Sequence, residues 1–102
     1  MNNDEKLTGL LNLDRLVHEP ARLLMLSVLA QAKQVEFTYL ETLSGLSKGN
    51  LSSHMSKLEA AGLIEVTKSF RGKRPLTELR ITPAGRKALT DYRRQLSSAM
   101  QA

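Results

Sequence analysis

The chain has 102 residues, of which 41% are hydrophobic and 25% charged, so it has the length of one small domain and the composition of a folded one. It contains no Cys, which excludes disulfides and thiolate metal sites. The net charge of +5 is uneven, because residues 1–40 carry a net charge of −1 and residues 41–102 carry +6. Such an asymmetry indicates an anionic partner, such as nucleic acid, for the C-terminal part.

Several functional classes find no support in the sequence. It begins with the polar stretch MNNDEK, and its longest apolar run, Leu23–Ala30, is too short to span a bilayer, so we expect a cytoplasmic protein without a membrane partner. Paired carboxylates and a phosphate-cradling glycine loop are missing, and no acid is suitably placed to orient His54 beside the nearby serines. We therefore expect no enzyme, no cofactor and no metal.

Two helices are predicted in the N-terminal third. Leucines recur with helical spacing over about residues 4–18, and Pro20 ends this helix because the residue before a proline is pushed out of the α region. The same proline opens a second helix, over about residues 20–32, which is apolar around nearly its whole circumference. A helix of this kind is buried on all sides, so it needs the first helix or a second subunit as cover.

A helix-turn-helix is predicted over about residues 39–61. A capping box formed by Thr38 and Glu41 starts its first helix, Gly45 supplies the tight turn, and Ser47 caps its second helix. The second helix is expected to turn one apolar face to the core, made of Leu51, Met55 and Leu58. Two helices joined in this way can place the second one in the major groove of DNA.

The remaining surface of that second helix is short, polar and cationic. Ser and Asn are poor helix formers, so helix propensity does not explain their concentration here, whereas hydrogen bonding to bases and phosphates does. A plain solvated face is the alternative interpretation. The candidate DNA-binding residues are Lys48, Asn50, Ser52, Ser53 and Lys57.

A β-hairpin with a basic tip is predicted over about residues 63–82. Alternating apolar residues flank the stretch FRGKRP, in which Phe70 is expected to be the last inward residue of one strand, Gly72 part of the turn, and Pro75 the start of the returning strand. Cations at this tip can contact phosphates or enter the minor groove, and they are Arg71, Lys73 and Arg74. A solvated loop with accidental charge is the alternative interpretation. Against it, the cationic helix and the basic hairpin tip follow each other in the chain, so a single DNA ligand could contact both.

The expected architecture is a single domain, residues 1–102, that is mainly α with a small antiparallel β-sheet (α+β). Thr82 and Pro83 start a last helix, over about residues 83–100. One small domain cannot easily bury the apolar stripes of both terminal helices together with the apolar helix between them. We therefore predict a homodimer interface made by Leu7, Leu10, Leu11, Tyr92, Leu96 and Met100.

Three motifs together resemble the winged helix-turn-helix regulators of the MarR and ArsR type: LDRLVHEPARL, LSKGNLSSHMSKLEAAGLIEV and FRGKRPLTELRITPAGR. The resemblance, over about residues 13–92, implies a homodimeric transcriptional regulator that presents two recognition helices to a pseudo-palindromic double-stranded DNA operator. It also implies that the helix from Lys48 reads the major groove, with Ser47 and His54 as further DNA-proximal residues, and that the hairpin is a wing. MarR-type ligand pockets need more chain than this, so a small-molecule effector is not implied.

Two other functions were weighed against DNA binding. A winged helix that binds protein instead would be expected to carry exposed apolar or acidic residues on the second helix and a neutral wing, and neither is seen. RNA binding favours exposed aromatic residues for base stacking, but only four aromatic side chains exist, and both phenylalanines, Phe37 and Phe70, are predicted to be core.

Overall fold

The computed structural model describes residues 2–102 and contains five α-helices and a three-stranded antiparallel sheet in this range. A single 3₁₀ turn, Gly9–Asn12, follows the first helix. The elements in chain order are α1 Asn3–Thr8, α2 Pro20–Ala30, β1 Val35–Glu36, α3 Phe37–Ser44, α4 Lys48–Ala60, β2 Ile64–Arg71, β3 Arg74–Ile81 and α5 Pro83–Met100. The mainly helical winged helix-turn-helix fold expected from the sequence is confirmed.

The prediction of one continuous helix over residues 4–18 is wrong. Helix α1 ends at Thr8, and Leu13 adopts an extended backbone with ψ 142° after the 3₁₀ turn. The Asp14 carboxylate then accepts hydrogen bonds from the amides of Leu16, at 2.9 Å, and Val17, at 3.4 Å, and so competes with helix formation. On this bent path Leu13 and Val17 are both buried in the core.

Helix α2 lies at the centre of the core. It begins at Pro20 as predicted, and the Glu19 carboxylate caps it by accepting hydrogen bonds from the amides of Ala21, at 3.1 Å, and Arg22, at 2.9 Å. Its fully buried residues are Met25, Leu26 and Leu29. Ala21 is also buried, whereas Leu23, Leu24, Val28 and Ala30 are half-buried, so most of the circumference of α2 is covered within the protomer.

Helix α3 begins earlier than expected. Its first residue is Phe37, directly after β1, and its N-cap residue, Glu36, makes no side-chain capping hydrogen bond. The predicted capping box of Thr38 and Glu41 is therefore wrong, because Thr38 already lies inside the helix. This start places Phe37 and Leu40 on one face, where both are buried. Gly45 ends the helix with φ 69°, the left-handed turn position that the sequence indicated.

The sheet has the strand order β1-β3-β2. Strands β2 and β3 form the predicted hairpin, in register from the pair Ile64 and Ile81 at its base to the pair Arg71 and Arg74 at its tip. Gly72 has φ 63°, whereas no residue other than glycine has a positive φ in the described range. The turn therefore has glycine at its first central position, which is the requirement of a type II′ turn and matches the twist of the two strands.

Candidate nucleic-acid interface

Helix α4 is divided into a buried and an exposed face. Its core face consists of Leu51, Met55 and Leu58, as the sequence indicated. The rest of the helix surface is open to solvent. We call five of its exposed polar residues the α4 face: Lys48, Asn50, Ser53, Ser56 and Lys57. The only acidic residue of α4, Glu59, is also exposed and lies near its C-terminal end. Ser52 is half-buried at the boundary between the two sides. The α4 face thus contains most of the residues that the sequence singled out, on one helix of 13 residues.

The N-terminus of α4 is held by Ser47. Its hydroxyl accepts a hydrogen bond from the amide of Asn50 at 3.1 Å, and its carbonyl accepts one from the amide of Leu51 at 2.9 Å. The capping role is therefore the role that the structure shows for Ser47. Because the first amides of a helix have no intrahelical acceptor and lie at its positive end, the start of α4 favours a nearby anion.

His54 does not belong to the α4 face. Its side chain is only 16% exposed, and its Nδ1 atom lies 3.3 Å from Glu19 Oε2 and 3.2 Å from Arg22 Nη1. The role that the structure shows for His54 is a link between α4 and the start of α2, and its DNA-proximal role stays a prediction. In the sequence, Glu19 and Arg22 are spaced by one helical turn and can share one partner. Only the tertiary structure shows that this partner is His54.

The charge of Glu19 depends on this arrangement. Partial burial by itself raises the pKa of the Glu19 carboxyl, but the amides of Arg22 and Ala21 donate to it, and His54 and Arg22 attract it, so its pKa ends below the ordinary value of a glutamate. The Arg22 guanidinium is also occupied by the backbone, since its Nε atom donates to the Leu16 carbonyl at 2.5 Å. These three side chains therefore brace the domain rather than face a ligand.

The tip of the hairpin, which we call the wing tip and define as residues 68–77, carries four cations and no acid. Arg71 is neutralised in part, because its Nη2 atom lies 2.5 Å from Glu36 Oε1 in β1. Lys73 and Arg74 are exposed, and so is Lys68, which the sequence analysis missed. Within residues 2–102, Lys68, Lys73 and Arg74 make no ion pair, and neither do Lys48 and Lys57 on α4.

Phe70 lies on the inner face of the hairpin, but the burial that this orientation predicted is wrong. Phe70 has the same strand parity as the buried Ile64, yet it is 72% exposed. The reason is that the hairpin extends beyond the core, so its inner face has nothing to pack against by the time the strand reaches Phe70. The prediction that both phenylalanines are core therefore holds only for Phe37.

The predicted dimer residues fall into two groups. Leu7, Leu10, Leu11 and Met100 are exposed, and we call these four residues the terminal patch. Leu96 is half-buried against the core. Tyr92 is 2% exposed and lies in the core of its own protomer, with its hydroxyl 2.7 Å from His18 Nδ1, so its assignment to an interface is corrected.

Other kinds of site are not supported by the described residues. None of the helices in residues 2–102 combines the length and apolar character that crossing a bilayer requires. In the same range, no group of three or more His, Asp or Glu side chains is placed to hold a metal ion.

A polar, cationic second helix followed by a basic hairpin is the arrangement of a DNA-binding domain, and comparison with known families agrees. The profile of the winged helix DNA-binding domain family matches residues 21–100. The chain belongs to this family. This winged helix domain is also 35% identical over 78 residues to an uncharacterised protein of Methanocaldococcus jannaschii, covering 76% of this chain and 85% of that protein.

Two solved structures share the fold of this winged helix domain. A transcriptional regulator homologue from Pyrococcus horikoshii superposes with a TM-score of 0.84 at 26% identity and covers 95% of both chains. A MarR-family transcriptional regulator from Silicibacter pomeroyi superposes with a TM-score of 0.63 at 20% identity, and the match covers 97% of this chain but 62% of that one. The domain is thus a DNA-binding winged helix that resembles transcriptional regulators, with a MarR-like structure.

Proposed function

We propose that the protein binds double-stranded DNA sequence-specifically as a homodimeric transcriptional regulator, with α4 in the major groove and the wing tip on the flanking backbone or in the minor groove. The observation that carries the proposal is that α4 and the hairpin, which pack against each other, both expose cations without an ion-pair partner in the described range. An α-helix has a diameter of about 10–12 Å and fits a major groove about 12 Å wide.

The two elements are expected to have different tasks. Lys73 and Arg74 on the wing tip carry charge on flexible side chains, which suits contact with phosphates of any sequence. Asn50 and Ser53 on the α4 face carry short hydrogen-bonding groups, which suit the base edges; Asn pairs well with adenine. Lys48, at the start of α4, is in a position to contact either a guanine edge or a phosphate.

The homodimer is supported by the terminal patch. Leu11, in the 3₁₀ turn that follows α1, is 76% exposed, and Met100, at the end of α5, is 70% exposed. The 3₁₀ turn and α5 pack against each other. Large apolar side chains that cluster at one end of a small domain indicate a protein interface. A second copy joined through this end would present two α4 helices to a pseudo-palindromic operator, because a two-fold axis repeats each contact.

DNA binding can be tested by selecting duplexes from a random pool at a stated salt concentration and then measuring their affinity as the salt is raised. A dimer offers two copies of Lys48, Lys57, Lys68, Lys73 and Arg74, so on the order of 6–10 phosphate contacts are expected. The affinity should then fall about 10³–10⁵-fold between 50 and 200 mM salt. A shallow salt dependence would contradict the proposal.

Variants separate the two tasks. Replacing Lys73 and Arg74 with Ala should weaken binding to all duplexes and reduce the salt slope, whereas Asn50→Ala should change which sequence is preferred. The matched control is Lys33→Ala, which removes an exposed cation from the loop before β1 and should leave affinity unchanged. If the wing variant and Asn50→Ala alter binding in the same way, the division of tasks is wrong.

The dimer is tested by the mass of the protein in solution. Light scattering at micromolar concentration should give twice the mass of the chain, and Leu11→Glu should reduce it to that of a monomer. Leu43→Glu is the matched control, because Leu43 is also an exposed leucine but lies on α3, away from the terminal patch. A monomeric wild-type protein, or dissociation by both variants alike, would refute the proposed interface.

A further inference from the structure

The inner face of the hairpin ends in an isolated apolar pair. Cross-strand partners share a face of the sheet, so the face that starts with Ile64 continues through Lys68 to Phe70. Directly opposite Phe70, in register, lies Pro75. Both residues are exposed, and Phe70 retains 72% of its surface open to solvent. Lys68 and its partner Thr77 separate this pair from the domain core.

The surroundings of this pair favour a polyanion rather than an apolar protein surface. Lys68 lies on the same face as Phe70, two residues away, and Lys73 and Arg74 lie at the turn. Of the three acidic residues on the sheet, Glu36 pairs with Arg71 at 2.5 Å, Glu65 pairs with Arg80 at 3.2 Å, and Glu78 accepts a hydrogen bond from the side-chain amide of Gln34. The exposed aromatic ring therefore shares its face of the hairpin with Lys68 and lies next to a turn that carries Lys73 and Arg74, and these three cations have no ion-pair partner within residues 2–102.

We propose that Phe70, supported by Pro75, is a wedge that enters the minor groove and partly inserts between two stacked base pairs. Lys68, Lys73 and Arg74 would hold the phosphates on either side of that step. Apolar wedges of this kind unstack a base step and kink the duplex toward the major groove. This inference rests on the proposed function and adds one contact to it, namely the deformation of one base-pair step by the wing.

The wedge also gives the wing a part in sequence preference without any hydrogen bond to a base. Pyrimidine–purine steps, such as TA and CA/TG, unstack and kink more easily than other steps. The selected duplexes should therefore carry a flexible step at the position of each wing. Replacement of Phe70 should relax the preference at this step and leave the preference set by α4 unchanged.

The test uses duplexes selected by the wild-type protein from a random pool, with the fluorescent adenine analogue 2-aminopurine placed in turn at each step of the flanks. Wild-type protein should raise the fluorescence at one step per half-site, because unstacking relieves the quenching of the analogue. Phe70→Ala should abolish that rise and weaken binding about 10- to 100-fold, the range expected for the loss of one aromatic stacking contact. Phe70→Leu, which keeps an apolar wedge, should retain part of the signal.

The exposure of Phe70 makes this variant suitable, since its truncation opens no cavity in the core. Leu43→Ala is the matched control for the loss of an exposed apolar side chain and should change neither fluorescence nor affinity. The wedge is refuted if Phe70→Ala retains the fluorescence rise, if wild type produces none, or if the variant loses mass in light scattering, which would make the pair a protein interface. A wild type that binds no duplex refutes both this inference and the proposed function, whereas salt-dependent binding without unstacking refutes only the wedge.

Discussion

The contact between α5 and the base of the wing predicts a large effect of a single methyl group. Gly85 is buried in the first turn of α5, and a Cβ atom built on it would lie 2.1 Å from the carbonyl oxygen of Leu63 and 2.8 Å from Ile81 Cγ1. The same carbonyl accepts a hydrogen bond from the amide of Thr82 at 3.0 Å. Gly85→Ala must therefore push apart the helix and the backbone that enters β2.

The magnitude follows from opposing contributions. Replacing Gly with Ala inside a helix ordinarily stabilises it by about 1 kcal/mol. Here the carbonyl would have to retreat by about 1 Å or more to reach an ordinary contact, and overpacking of this kind costs about 1–3 kcal/mol. Weakening the Thr82 hydrogen bond adds about 1 kcal/mol. The expected net result is a loss of about 2 kcal/mol, or a melting temperature lower by about 10 °C for a domain of this size.

The assay is thermal and urea unfolding at fixed protomer concentration, since the stability of a dimer depends on concentration. Gly49→Ala is the control, because Gly49 lies in the first turn of α4 with no atom within 4 Å of the added Cβ. It should be neutral or stabilise by up to about 1 kcal/mol. If Gly85→Ala and Gly49→Ala have the same stability within about 0.5 kcal/mol, the close approach of α5 to Leu63 does not constrain the fold.

Three further predictions concern the core and the brace between α2 and α4. Because the pKa of Glu19 is lowered in the folded state, its contribution to stability should be complete above the pKa of this carboxyl in the unfolded chain and should be lost as the pH falls through the folded-state pKa. The stability difference between wild type and Glu19→Gln, measured by urea unfolding across pH, should therefore shrink in acid, and a difference that grew in acid would contradict the capping role. Leu58→Ala should lower the free energy of unfolding by about 2–5 kcal/mol, because Leu58 is fully buried, and a loss under about 1 kcal/mol would mean that the site collapses around the missing atoms. Tyr92→Phe should cost about 0.5–1.5 kcal/mol through the lost hydrogen bond to His18 and leave the mass in solution unchanged, whereas dissociation would return Tyr92 to the interface.

Local sequence signals were sufficient where the physics is local. Gly45 and Gly72 occupy left-handed positions at the turns for which the sequence analysis proposed them, since glycine reaches this conformation without steric cost. Ser47 and Thr82 cap α4 and α5 through their own hydroxyls. The spacing of Leu51 and Leu58 likewise assigned the core face of α4, because helical periodicity determines which side chains share a face.

Predictions went wrong where a local signal met a competing contact. Thr38 and Glu41 have the spacing of a capping box, but the burial of Phe37 starts the helix before Thr38. Leucine spacing indicated one long first helix, but the Asp14 side chain forms a turn that directs Val17 into the core. In the first case tertiary burial outweighed a capping preference worth about 1 kcal/mol, and in the second a local side-chain hydrogen bond outweighed the leucine spacing.

The sequence by itself therefore determined the succession of helices, turn and hairpin, the core face of α4 and the basic character of the wing. Only the tertiary structure decided which of the singled-out side chains remain available to a ligand. It turned His54 toward Glu19, engaged Arg71 with Glu36 and buried Tyr92, while it left Phe70 exposed. The physical reason is that periodicity assigns a side chain to a face of its own element. Burial depends instead on how far the neighbouring elements extend, and residues distant in the sequence determine that extent.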